Sequence, residues 1–202
     1  VILKDPIHLN IDLVFEQGRA VEKFLIRQLT ARAPDKIWSN WTCACKYVKF
    51  SGVYEDAKAK GLCPRCGTQI TRHNEIAYFD DEYMISGSVD IHYYENDAFV
   101  PIESKSENAE KWRERHAADP NHVLQALNYW RLMYRKGLPM HDKVVVAYTG
   151  KDIYRQYLIK EYPQHASRSM PRLSHLLDEA AAWAEYKKTG ELPPRKCCPT
   201  PK

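Results

Sequence analysis

The 202-residue sequence contains no apolar run that approaches the length of a transmembrane helix, so a membrane span is not predicted. It also lacks internal repeats and low-complexity tracts, which excludes a repeat array as its architecture. No secretory signal is visible, although the chain starts at Val1 and we expect it to be trimmed relative to the natural protein. Neither sign of charge dominates, since the net charge is +4. This mildly basic balance is compatible with a nucleic-acid partner but does not require one.

The residues that are present are typical of a globular protein, with 44% hydrophobic and 28% charged residues. The length suits one domain over residues 1–202 that carries a single small insert. Gly18, Val21, Leu25 and Leu29 recur at helical spacing near the start, and apolar runs typical of strands follow later. The predicted helices cover 10–34, 121–136 and 172–188, and the predicted strands cover 76–80, 83–94, 98–104, 143–149 and 153–159.

The order helix, three strands, helix, strand predicts an α/β (α+β) core with a mixed central sheet. Residues 41–75 differ from this core because they contain cysteines, lysines and glycines but little apolar periodicity. We therefore predict that they form a small insert.

Four cysteines in this insert have the spacing of a metal site. One residue separates Cys43 from Cys45, two residues separate Cys63 from Cys66, and Gly67 follows. A Cys-Pro-x-Cys-Gly turn directs backbone N–H groups at thiolates, and four thiolates favour structural Zn²⁺. We predict a zinc-ribbon-like Cys₄ insert, with free buried thiols as the alternative, in a reducing, intracellular (cytoplasmic) compartment. A further pair, Cys197 and Cys198, is expected in a disordered tail or, alternatively, in a truncated second metal site.

Two neighbouring strand-like runs carry charges that face the same side. Glu103 and Lys105 are two residues apart, so they share one face of a strand, and a hairpin near residues 95–97 can bring Asp90 alongside Glu103. Two such carboxylates repel by roughly 4 kcal/mol at an effective dielectric constant of about 20. A divalent cation between them attracts both and turns the net interaction into an attraction. Oxygen ligands of this kind suit Mg²⁺ or Mn²⁺. The alternative is a solvated strand face with a weak ion pair.

Three more residues add to this group. Glu22 lies in the apolar stripe of the first helix, where a charge is costly unless it is paired or binds a metal. Gln125 and Tyr129 are four residues apart and therefore neighbours on one helix face. Their alternative reading is a helix amide and a tyrosine at the boundary of the core. We expect Gly87 to let a backbone or a DNA strand approach closely.

Together these residues resemble the PD-(D/E)xK nuclease superfamily, in its RecB-like branch that includes lambda-type exonucleases. The motifs that carry the resemblance are Gly18-x-x-x-Glu22, Gly87-x-x-Asp90, Glu103-x-Lys105 and Gln125-x-x-x-Tyr129. The proline of the family name is absent, since Val89 precedes Asp90.

The resemblance implies a restriction-endonuclease-like αβββαβ core. It also implies a catalytic Mg²⁺ or Mn²⁺ held by Glu22, Asp90, Glu103 and the backbone carbonyl of Ser104. Lys105 would assist the attacking water or stabilise charge on the phosphate, and Gln125 and Tyr129 would position the substrate. An iron–sulfur cluster is less expected, because the family pattern has one cysteine before the core and three after it.

These expectations describe a metal-dependent deoxyribonuclease, an exonuclease rather than an endonuclease, that acts on DNA ends or single strands. Its setting would be phage replication, recombination or repair, with a protein partner possible and no membrane association. The alternatives are a non-catalytic zinc-containing nucleic-acid-binding module and a structure- or site-specific endonuclease. The insert also carries basic residues that either bind DNA phosphates or form a solvated face: Lys46, Lys49, Lys58, Lys60, Arg65 and Arg72.

Overall fold

The computed structural model describes residues 6–151, 156–161 and 170–190. Within these ranges no helix has the length and apolarity needed to cross a membrane. The predicted pair Cys197 and Cys198 lies outside the described residues. The helices are α1 (Pro6–Arg32), α2 (Tyr54–Ala59), α3 (Ala109–Glu114), α4 (Pro120–Arg135) and α5 (Met170–Thr189). The strands are β1 (Ile37–Thr42), β2 (Lys49–Val53), β3 (Ile76–Asp80), β4 (Ile85–Val89), β5 (Ile91–Glu95), β6 (Ala98–Glu107), β7 (Val144–Gly150) and β8 (Gln156–Glu161).

The central sheet has six strands in the order β2-β1-β5-β6-β7-β8, and β3 and β4 form a separate two-stranded sheet. β6 and β7 are parallel, while the other neighbours in the central sheet are antiparallel. The parallel pair requires a crossover, which α3 and α4 supply. The predicted mixed α/β class with a mixed-orientation sheet is therefore confirmed.

Apolar side chains cover both faces of the sheet, because successive residues of a strand point to opposite sides. On one face Val100, Ile102 and Val145 pack with Leu25 of α1 and with two of the cysteines. On the other face Val144, Val146 and Tyr148 pack with α4 residues such as Leu127. The sheet is thus a layer between α1 and α4.

Helix α4 has clear start and stop signals. The side chain of Asp119 accepts a hydrogen bond from the Asn121 N–H, and Pro120 occupies the first turn. Gly137, with φ 77°, follows the last turn in the left-handed conformation that terminates many helices. The buried face of α4 contains Val123, Ala126, Leu127, Tyr129, Leu132 and Met133.

Several boundaries differ from the sequence predictions for identifiable reasons. The predicted strand 83–94 is interrupted at Asp90, where its first half pairs with β3 and its second half with β6. The segment 41–75 contains β2 and the end of β1, and β1 joins the central sheet through β5. Sequence patterns missed β1 and β2 because both strands are short and contain polar residues, which are buried at Ser39 and Thr42 in β1 and exposed at Lys49 and Ser51 in β2.

Candidate functional site

The bend at Asp90 places one acid beside the longest strand of the sheet. A tight turn with Asn96 and Asp97 in the left-handed conformation joins β5 to β6 and aligns Ile91 with Ile102. The Ser104 N–H donates a 2.7 Å hydrogen bond to Asp90 Oδ2. The hairpin therefore brings Asp90 to Glu103 as the spacing predicted. Ser104 contacts the site through its N–H, and the predicted ligand role of its carbonyl stays a prediction.

Glu103 is the most buried acid at this site, with 1% of its surface exposed. Its Oε1 forms an ion pair with Lys105 Nζ. Its Oε2 is buried and has no hydrogen-bond partner among the described residues. A buried carboxylate oxygen without a donor is costly, so this oxygen is available to a cation or a donor from outside the protein.

Lys105 connects the carboxylates to α4. Its Nζ donates a 3.0 Å hydrogen bond to Gln125 Oε1, and Gln125 Nε2 donates at 2.6 Å to the hydroxyl of Tyr129. Glu103, Lys105, Gln125 and Tyr129 thus form one continuous polar chain. The amide of Gln125 orients the lysine, because only its oxygen can accept from the ammonium.

Asp90 lies near three other acids, Glu22, Glu75 and Glu103, and its negative charge and theirs repel one another. Burial raises the pKa of Glu22 to about 7, and the charges of Asp90 and Glu75 add to the rise. Burial, with Asp90 and Glu22 nearby, likewise raises the pKa of Glu103 to about 7. The pKa of Asp90 rises to about 6, again first through burial, although the Ser104 N–H opposes the shift. Acids crowded in this way are typical of functional sites.

Glu75 belongs to this group, and sequence reasoning missed it. It precedes β3 in a polar segment without periodicity, so no pattern placed it near Asp90. Its charge nevertheless acts on Glu22, Asp90 and Tyr129. Four acids from four separate parts of the chain therefore share one region.

The oxygens of these acids are not packed as tightly as the ligands of a closed metal site. Among the described residues, only the cysteine group has ligand atoms that all lie within 4.8 Å of one another. Glu103 is turned toward Lys105, and the remaining acids repel one another. The donor set still suits a divalent cation, because Glu103 Oε2 has no hydrogen-bond partner within the described ranges and the charges of Asp90 and Glu22 act on this acid.

Of the two motif glycines, Gly87 is required by packing, whereas Gly18 has room for a side-chain carbon. A Cβ on Gly87 would lie 2.7 Å from Cε1 of Tyr129, so this glycine makes room for the tyrosine ring. The space on the Cβ side of Gly87 is thus filled by a side chain from α4, and the predicted approach of a backbone or a DNA strand stays a prediction. A Cβ on Gly18 would lie 3.8 Å from Ser106 Oγ, where α1 passes over β6.

The four insert cysteines come together at metal-ligand spacing. The Sγ atoms of Cys43 and Cys45 are 3.5 Å apart, and those of Cys45 and Cys63 are 3.8 Å apart. Thiolates at the corners of a tetrahedron with bonds of about 2.3 Å to zinc would be separated by about 3.8 Å. Cys66 completes the group, which can hold a metal ion.

Backbone turns present these sulfurs in two similar loops. The N–H of Val48 donates to Cys43 Sγ, and the N–H of Arg65 donates to Cys63 Sγ, both at 3.4 Å. Lys46 and Gly67, each following the second cysteine of its pair, adopt positive φ angles of 58° and 66°. The hydroxyl and N–H of Thr68 lower the pKa of Cys66 to about 5, which favours a thiolate.

No protein-family model and no curated protein matches this sequence. What the site can do is therefore inferred from its residues and their geometry.

Proposed function

We propose that this protein is a metal-dependent nuclease that hydrolyses phosphodiester bonds of DNA, built on a restriction-endonuclease-like core. Glu22, Asp90 and Glu103 would hold Mg²⁺ or Mn²⁺. The motif order that resembles the RecB-like nucleases supports this proposal, as does the convergence of the motif residues on one region. The exonuclease reading, with action at DNA ends or on single strands, rests on that resemblance.

The observation that carries the proposal is the environment of Glu103. This acid is 1% exposed and no described residue donates to its Oε2, while the charges of Asp90 and Glu22 act on it. Burying an acid among other acids destabilises a fold, and such an arrangement is typical of sites where a ligand compensates the charge. A divalent cation and a phosphate supply that compensation.

The bound cation would supply a nucleophilic water and stabilise the charge that develops on the phosphate. The ammonium of Lys105 is held between Glu103 and Gln125 and has one proton more than these two contacts use. It would stabilise negative charge on a phosphate oxygen, because these contacts fix its positive charge beside the carboxylates. Tyr129 fixes Gln125, and through it the lysine.

We propose Zn²⁺ as the ion of the cysteine group, with a structural role. Each of two loops supplies two cysteines and a backbone N–H donor to a sulfur, and the sulfur separations are near those of a tetrahedron. This arrangement supports zinc over an iron–sulfur cluster. All four protein ligand positions are filled by cysteines, so this site does not leave an open position for catalysis.

The experiment that tests the nuclease proposal is degradation of end-labelled single-stranded and duplex DNA in Mg²⁺ or Mn²⁺, with EDTA as the metal-free control. Lys105→Ala should lower the rate on the order of 10²- to 10³-fold, since it removes a charge that acts in the transition state. The ladder of products distinguishes exonuclease from endonuclease action.

Lys143→Ala is the matched control. Lys143 also pairs with a strand glutamate, at 2.6 Å from Glu95, and its side chain is 22% exposed compared with 25% for Lys105. Its loss should leave cleavage unchanged. Retained DNA binding with no cleavage of any substrate in either metal would refute the nuclease proposal and favour the binding module.

A further inference from the structure

A second polar region borders the carboxylates but is not part of them. It is a cavity of about 670 Å³ between α1 and the segment 71–75, and we call it the α1 cleft. Glu22 and Glu75 form its border with the carboxylate site, and the rest of its lining is basic, polar and aromatic. Its volume lies in the range of small-ligand pockets, so it can hold a few nucleotide units but not a double helix.

Besides Arg19, which pairs with Glu16, three cations line the α1 cleft: Lys23, Arg27 and Arg72. None of them forms an ion pair within the described part of the chain. The arginines of α4 differ, since Arg131 and Arg135 are both paired with Asp80. Lys23 and Arg27 are four residues apart, which places them on one side of α1 at a rise of about 6 Å. Their charges therefore form a row that leads toward Glu22.

The opposite wall carries a buried nitrogen without a partner. Nε2 of His73 is buried and makes no hydrogen bond among the described residues, and burial lowers the pKa of this histidine to about 4. The ring is therefore neutral at pH 7 and offers one donor and one acceptor. It packs edge-on against Trp41, with 5.5 Å between the ring centroids. A neutral ring nitrogen suits a base or a sugar hydroxyl rather than a phosphate.

This wall is fixed to β1, the strand that leads into the cysteine group. Arg72 and Thr42 exchange two backbone hydrogen bonds of 2.9 Å. Asn74 Nδ2 donates to the carbonyl of Asn40 at 2.7 Å, and Ser39 Oγ donates to the carbonyl of Asn74, also at 2.7 Å. Thr42 is followed directly by Cys43, and Ile70 packs in the same apolar cluster as Cys43 and Cys63. The cysteine group thus holds the wall in place.

We propose that the α1 cleft binds a single DNA strand and leads it to the carboxylates, an inference that rests on the proposed nuclease function. Lys23, Arg27 and Arg72 bind successive phosphates, and His73 hydrogen-bonds to a base or sugar.

The test measures affinity for a short fluorescein-labelled single strand by anisotropy, in a Glu103→Gln background so that cleavage does not consume the probe. Each phosphate contact contributes about fivefold at about 0.1 M salt if the single-strand salt slope is about −0.7 per contact. The triple variant Lys23→Ala/Arg27→Ala/Arg72→Ala should therefore bind about 100-fold more weakly, with a salt slope shallower by about 2. His73→Phe should bind several-fold more weakly with an unchanged slope.

The matched control is Arg32→Ala/Lys136→Ala/Lys188→Ala, which lowers the net charge equally through exposed cations that do not line the cleft. Equal losses in the two triple variants would overturn the proposal, and so would a blunt duplex that binds as tightly as the strand. Melting midpoints show whether each variant is folded. If the unmodified protein cleaves nothing while the cleft variants still lose affinity selectively, the nuclease proposal fails and the cleft proposal stands.

Discussion

Asp80 and Glu103 are both buried acids with basic partners, yet their surroundings differ in kind. Asp80 accepts hydrogen bonds from Arg131 at 2.7 Å and from the N–H of Glu82 at 3.1 Å, and it forms an ion pair of 3.1 Å with Arg135. Burial alone would raise its pKa, but these donors lower it below the usual value. Glu103 has one lysine partner, an oxygen that no residue of the described ranges hydrogen-bonds, and other acids nearby, and its pKa rises to about 7. A buried acid whose oxygens are paired with hydrogen-bond donors stabilises the fold. A buried acid whose oxygens lack donors indicates a binding site.

The largest effect should come from Glu103→Gln. The amide keeps the shape of the side chain but removes a metal-binding charge, so cleavage should fall on the order of 10³-fold or more. The unfolding midpoint in EDTA should be no lower than in the unmodified protein, because one member of a repelling group has lost its charge. A large drop in the midpoint would mean that Glu103 is a structural acid like Asp80, and the comparison would fail.

Asp80→Asn should show the opposite pattern. It leaves Arg131, whose side chain is 14% exposed, without its carboxylate, so the free energy of unfolding should fall by about 2–3 kcal/mol. Cleavage measured well below the melting temperature should change little, because Asp80 makes no contact with the carboxylate site among the hydrogen bonds and ion pairs of the described residues. Denaturant unfolding monitored beside the cleavage assay checks both values.

Gly87→Ala tests the packing that connects the site to α4. The new methyl group would meet the ring of Tyr129 at 2.7 Å, so the ring must shift, and overpacking of this kind costs about 1–3 kcal/mol. The shift should break the Gln125–Tyr129 hydrogen bond and lower cleavage about tenfold or more. Ser88→Ala, one residue away and without a side-chain hydrogen bond in the described part of the chain, is the control and should cleave normally.

The smallest effect concerns acid stability. Because the folded pKa of Asp80 is lowered, its contribution to stability is present above the unfolded value of about 3.9 and is lost as pH falls through the folded pKa. The difference in unfolding free energy between the unmodified protein and Asp80→Asn should therefore be constant near neutral pH and shrink below about pH 4. A difference in unfolding free energy that stays constant down to pH 2 to 3 would mean that pairing with the arginines does not lower the pKa of Asp80 as described.

The sequence predicted the local and periodic features well. The apolar runs of β6 and β7 and the apolar stripe of α4 indicated their elements, and the short β5–β6 turn fixed the register that brings Asp90 to Glu103. The cysteine group was found because its spacing is a local constraint. Such features depend on residues close together in the chain, so their patterns are visible without the fold.

Features that depend on distant parts of the chain were missed. Glu75 and His73 lie in an irregular segment, and only the fold brings them to α1. The contact between Gly87 and Tyr129 requires the packing of α4 on β4, which no local pattern specifies. Arg131 and Asp80 are 51 residues apart in the chain. The sequence alone therefore could not show that Asp80 is paired with donors while Glu103 is not.

The parallel pairing of β6 with β7 has a consequence for how the site is made. The β5–β6 hairpin is a local structure of the kind that forms in microseconds, and it already carries Asp90 and Glu103. Gln125 and Tyr129 arrive only when the crossover through α4 is closed, and closing a non-local connection is intrinsically slow. Two of the acids can therefore meet before the residues that orient Lys105 are in place. Cleavage activity should consequently appear in the last kinetic phase of refolding. Its recovery would then show that the whole fold, including the parallel pairing of β6 with β7, has formed.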